Sequence, residues 1–90
     1  GKLKIYEKED YLYIVVENNG NISEHDRKQI DSLLNDMGNI KNHSHIGIRN
    51  VNKRLKILYG EDSGLTISNP QDNLTVSEIK IQKSKLSWFL

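Results

Sequence analysis

The segment Gly47-Ile48-Arg49-Asn50-Val51-Asn52-Lys53-Arg54-Leu55-Lys56-Ile57-Leu58-Tyr59-Gly60 constrains the fold of this chain more than any other. Ile48, Val51, Leu55 and Leu58 recur at helical spacing, which predicts an amphipathic helix with one apolar face. Gly47 opens it, and Gly60 stands where a left-handed residue commonly ends a helix. A helix that begins on glycine presents free backbone N–H groups that a ligand can approach closely, which suits a phosphate. The plainer alternative is that any α+β domain can start a helix on glycine and bury Ile, Val and Leu.

The flanking sequence supplies strands and one more helix. Leu3 and Ile5 alternate with polar neighbours, Lys8-Glu9-Asp10 interrupts, and Leu12, Ile14 and Val16 resume the alternation with Tyr11, Tyr13 and Val15 on the opposite face. This predicts a β-hairpin whose second strand is the more buried. Asn18-Asn19-Gly20-Asn21 is a turn by composition. Ser23 then serves as an N-cap, with Glu24 and Asp26 in the first helical turn and Ile30, Leu33, Leu34 and Met37 as the apolar stripe of a helix ending near Gly38. Residues 38–46 are polar and aperiodic, a loop. Beyond Gly60, Leu65 and Ile67 mark a strand, Asn69–Asn73 a turn, and Ile79 and Ile81 a last strand, leaving 83–90 as a tail ending Trp88-Phe89-Leu90. The order β-β-α-α-β-β predicts an α+β two-layer sandwich, a mainly antiparallel sheet with helices on one face.

Composition limits the functional classes. Ninety residues make one small domain or part of a larger one, and a chain this long buries only about 60–65% of its unfolded surface. Thirteen basic and twelve acidic residues are interspersed at net charge +1, so no electrostatic footprint for nucleic acid or anionic lipid is expected. The absence of cysteine excludes a disulfide framework and fits a reducing, cytoplasmic compartment, and no apolar run reaches the length of a membrane span.

Asn18-Asn19-Gly20 at a strand end, a polar loop, and then His45-Ile46-Gly47-Ile48-Arg49-Asn50-Val51 together resemble the ATP-binding domain of bacterial sensor histidine kinases, the Bergerat-type (GHKL) fold. From Gly47 to Gly60 the chain runs close to the family pattern GIGLRNVNERLKLLYG, and Glu61-Asp62-Ser63-Gly64-Leu65-Thr66-Ile67 fits the family's continuation of it. The likeness covers roughly residues 1–82. It implies the C-terminal portion of such a domain, with residues 38–46 as a loop over the nucleotide. Asn18 takes the place of the Asp that accepts from the adenine amino group, without its charge, and charge-assisted bonds are roughly twice as strong. Gly20 matches a box glycine that lets the base approach, and Ile22 replaces the second glycine as a wall of the adenine pocket. Gly47 matches a phosphate-box glycine, with His45 in place of the other; Ile48, Asn50 and the N–H groups from Gly47 onward face the phosphates. Thr75 resembles the threonine of the last box, near adenine, although that box's glycine is missing.

The resemblance further implies ATP and Mg²⁺ as ligands. The Mg²⁺-chelating Asn would lie upstream of Lys2, and the phosphoacceptor histidine on an upstream dimerisation helix. In the intact protein, a cytosolic part of a membrane-bound sensor, the γ-phosphoryl would pass to that histidine and then to a response regulator, whereas this stretch alone would not transfer phosphate. An exposed sheet edge invites self-pairing. The substitutions at Asn18, Ile22 and His45 also fit a different class, a degenerate ATPase-like module that signals or dimerises without catalysis. His43 and His45 lack a third ligand nearby and read as solvated loop residues, not a metal pair. His25 reads as a surface residue, and Lys53, Arg54 and Lys56 as the exposed side of their helix, from which Arg49 and Arg54 could reach phosphates.

Overall fold

The computed structural model describes residues 1–34 and 46–86. Strands β1 (Lys2–Lys8) and β2 (Tyr11–Asn19) are followed by helices α1 (Glu24–Leu34) and α2 (Ile46–Tyr59), strands β3 (Gly64–Gln71) and β4 (Leu74–Gln82), and a short helix α3 (Lys83–Leu86). The strands form one sheet in the order β1-β2-β4-β3, and every neighbouring pair is antiparallel. Since β4 runs antiparallel to both β2 and β3, those two strands are parallel, and α1 and α2 form the crossover between them. The result is a split β-α-β unit with a leading hairpin, a small α+β domain as expected. Residues 83–86 are helical where the sequence suggests only a tail. The Lys83 N–H donates to Asp10 O at 2.8 Å, tying this helix to the β1–β2 turn. Trp88 and Phe89 lie outside the described residues.

The ladder pairs explain which residues share a face. Leu3, Ile5, Leu12, Ile14, Val16, Ile79, Ile81, Leu65 and Ile67 fall on one side, and Tyr6, Tyr11, Tyr13, Val15, Glu78 and Lys80 on the other. β1 is exposed throughout and β2 half-buried, as the hairpin reading requires. The most buried residue of β2 is Val15, on the tyrosine side. Its short side chain stands opposite Lys4, whose Nζ bonds to Glu17 Oε1 at 3.0 Å, so long neighbours cover it. Two-residue turns join the hairpins. Glu9 and Asn73 take positive φ there. The expected turn over 69–73 narrows to Asp72-Asn73, because β3 continues to Gln71 through an irregularity containing Pro70, which has no N–H to donate.

α1 begins as its cap residues dictate: the Asp26 N–H donates to Ser23 Oγ at 3.1 Å, and the Arg27 N–H to Ser23 O at 2.9 Å. Ile30 is buried, with Leu33 and Leu34 half-buried. α2 ends at Tyr59, and Gly60 follows with φ 102°. Its seat differs from the expected stripe. Asn52 is 5% exposed, with Ile48, Leu55, Lys56 and Tyr59 half-buried, whereas Val51 and Leu58 are 45% and 37% exposed. Apolar residues at 48, 51, 55, 57 and 58 surround much of this helix, so periodicity does not specify which part of the circumference meets the sheet. The buried face is rotated toward Asn52 and Lys56.

Candidate functional site

The candidate residues fall into two groups. The first lies where β2 and β4 end. Asn18 and Thr75 are directly opposite in the ladder, and the Thr75 hydroxyl donates to Gly20 O at 2.8 Å. Gly20 has φ 120°, a conformation closed to residues with a β-carbon, and its N–H donates to Asn73 O at 3.1 Å. Three of the residues singled out in the sequence, Asn18, Gly20 and Thr75, are thus brought together. The Asn18 side chain is exposed and lies against Gly1. Ile22 comes next at the approach to α1, half-buried, with its N–H donating to Asn69 Oδ1.

A set of asparagines that the sequence offered only as turn formers holds this corner in place. Asn69 Nδ2 donates to Gln71 O at 3.0 Å and also to Leu74 O. Asn21 Nδ2 donates to Asp72 Oδ1 at 2.9 Å, and Asn21 Oδ1 accepts from the Asn73 N–H at 2.8 Å. The β3–β4 turn is thereby fastened to the residues just after Gly20. Asn and Asp are frequent in turns for local reasons, so sequence alone carried no signal that these would bond across some fifty positions.

The second group occupies the first turns of α2. Gly47 and Asn50 are exposed and Ile48 is half-buried. Among the described residues, nothing lies within 4 Å of a β-carbon built at Gly47, so none of them demands glycine there. The expected loop at 38–46 lies outside the described residues, except that Ile46 already belongs to α2. Arg54 is exposed, as expected, but Lys56 is not on the solvent side: its Nζ donates to Glu61 O at 2.8 Å and to Ser63 O at 2.9 Å. That ammonium closes the α2–β3 connection and is engaged away from the helix N-terminus.

Ser63, 1% exposed, completes that connection. Its hydroxyl donates to Tyr59 O at 3.0 Å and accepts from the Gln82 N–H at 3.0 Å. Beside it Asn52 Nδ2 donates to Leu34 O at 3.3 Å, and Oδ1 accepts from the Leu65 N–H at 2.9 Å. Neither residue stood out in the sequence: a polar residue such as Asn52 on an amphipathic helix ordinarily marks the wet side, and a serine such as Ser63 is ordinary in a connection between elements.

On the opposite face of the sheet Tyr6 stacks on Tyr13 at 5.1 Å, and Lys80 Nζ lies 4.1 Å from the Tyr11 ring centroid. Loss of surrounding water raises the Tyr11 phenol above its ordinary value, and the Asp62 carboxylate, 3.2 Å from the hydroxyl, adds to the shift. Among the described residues no group of three His, Cys, Asp or Glu converges as a metal site, and no helix is long and apolar enough to cross a membrane.

Against known proteins, no family model, no curated protein and no solved structure matches the chain.

Proposed function

We propose that this chain is part of an ATP-binding domain of the sensor histidine kinase type. The observation that carries the reading is the ordered resemblance of Asn18–Gly20, Gly47–Gly60 and Thr75 to that family's nucleotide boxes. The adjacency of Asn18, Gly20 and Thr75 at one corner of the sheet is compatible with an adenine contact there. Asn18 accepts from the adenine amino group, Gly20 allows close approach of the base, and Ile22 walls the pocket. The first turn of α2, from Gly47 through Ile48 to Asn50, turns its N–H groups toward the phosphates. Mg²⁺ is held by an Asn outside this sequence. In the intact protein the γ-phosphoryl is transferred to a histidine on a dimerisation helix and relayed to a response regulator, with positioning and charge neutralisation supplying the catalysis.

The test is a calorimetric titration of the full-length protein with ATP-Mg. Wild type binds and Gly47→Val does not; equal affinity in that variant removes the phosphate role from α2. The uncharged, exposed Asn18 favours a second reading, a non-catalytic signalling or dimerisation module of the same ancestry. Protein that is folded, binds no ATP and forms no phosphohistidine under the same conditions selects the second reading.

A further inference from the structure

Asn52 lies one helical turn after Ile48 on the inward side of α2, and its carboxamide is bonded in two directions. Its donor reaches the carbonyl of Leu34, in α1, at 3.3 Å, and its acceptor takes the N–H of Leu65, on the edge strand β3, at 2.9 Å. With Asn52 only 5% exposed, water does not readily replace either bond. We infer that Asn52 is a positioning residue for the α2 end of the candidate nucleotide site. By bonding α1 and β3 at once it fixes how α2 is rotated and how far it slides along its axis. That seat sets the direction in which the N–H groups of the Gly47–Asn50 turn point. This inference rests on reading that turn as the phosphate-facing element. Only an amide of this length both donates and accepts here. A carboxylate keeps the bond from Leu65 and loses the one to Leu34, and an apolar side chain loses both.

The test uses the full-length protein and ATP-Mg, with three variants. Asn52→Asp weakens binding about tenfold, the equivalent of one buried hydrogen bond lost, and Asn52→Leu, which loses both bonds, weakens it more. Ile81→Val, which removes one methylene from the buried side of β4, lowers stability and leaves affinity at the wild-type value. Without nucleotide, the backbone NMR shifts of Gly47–Asn50 move in Asn52→Leu and stay in place in Ile81→Val. Folded Asn52→Leu with wild-type affinity overturns the inference, as does an affinity loss in Ile81→Val matching that of Asn52→Leu. If wild type itself binds no ATP, the functional proposal fails and the NMR comparison alone decides: unmoved Gly47–Asn50 shifts in Asn52→Leu reject the positioning role, and moved ones support it.

Discussion

The carboxamide oxygen of Asn52 lies 2.6 Å from the point a β-carbon on Gly64 would occupy. Lys56 Nζ is 3.3 Å from that point, so the start of β3 passes beneath two side chains of α2 with no room for a methyl group. Neither neighbour is free to swing aside: Asn52 is bonded to Leu34 and Leu65, and Lys56 to Glu61 and Ser63. Gly64→Ala therefore costs about 1–3 kcal/mol, the usual range for forcing atoms into a filled interior. Urea unfolding monitored by circular dichroism measures it, and an unchanged midpoint would mean that α2 does not press on β3 in this way.

The order of elements was legible because each carries its own local signal. Alternation marked the strands, Ser23 marked the start of α1, and Gly60 marked the end of α2. The seat of α2 was not legible, since Ile48, Val51, Leu55, Ile57 and Leu58 cover so much of its circumference that several rotations satisfy the pattern. What decides among them is polar: Asn52 can face inward because it bonds the Leu34 carbonyl and the Leu65 N–H there. Those partners come from elements 18 and 13 residues away, and no local rule connects them. The strand-end corner has the same character. Gly20 and Thr75 were identifiable through a resemblance, while the bonds of Asn21 and Asn69 depend on the β2–β4 register that brings them close.

Thr75 gives that corner a single removable bond. Its hydroxyl donates to Gly20 O at 2.8 Å in a part-buried setting, and valine reproduces the shape without the donor. Thr75→Val is expected to destabilise the fold by about 1 kcal/mol, with Thr75→Ser recovering most of the loss because it restores the donor. Under the proposed function Thr75→Val also weakens ATP binding, since Gly20 and Asn18 stand beside it. Equal stability of Thr75→Val and Thr75→Ser would show that the hydroxyl contributes nothing.

Tyr11 provides a pH test. Its phenol is raised above 10.0, first by loss of water around it and then by the Asp62 carboxylate. A raised value in the folded state means that folding favours the neutral phenol. Its contribution to stability is fully present below 10.0 and disappears as pH climbs from there to the folded value. An NMR titration of the Tyr11 ring should give a midpoint above 10.0, and Asp62→Asn should return it only part of the way, because loss of water, Asp10 and Tyr13 also raise it. A midpoint at or below 10.0 would contradict this environment for the ring.

Gly47 separates fold from function most cleanly. Among the described residues nothing lies within 4 Å of a β-carbon placed there, and its backbone φ is not among the positive values found at Gly20, Gly60 and Gly64. Glycine lowers helix stability relative to alanine by roughly 0.5–1 kcal/mol through its extra freedom in the unfolded chain. On structural grounds alone, then, Gly47→Ala should leave stability unchanged or raise it by up to about 1 kcal/mol. If a phosphate closes on the first turn of α2, the same methyl group obstructs it and ATP affinity falls. A variant that is more stable and binds nucleotide less well is the expected result, from paired urea-unfolding and calorimetric measurements on the full-length protein. A variant that gains stability and keeps its affinity would leave glycine at position 47 without a role in binding, and the anion site would have to be sought elsewhere on the chain.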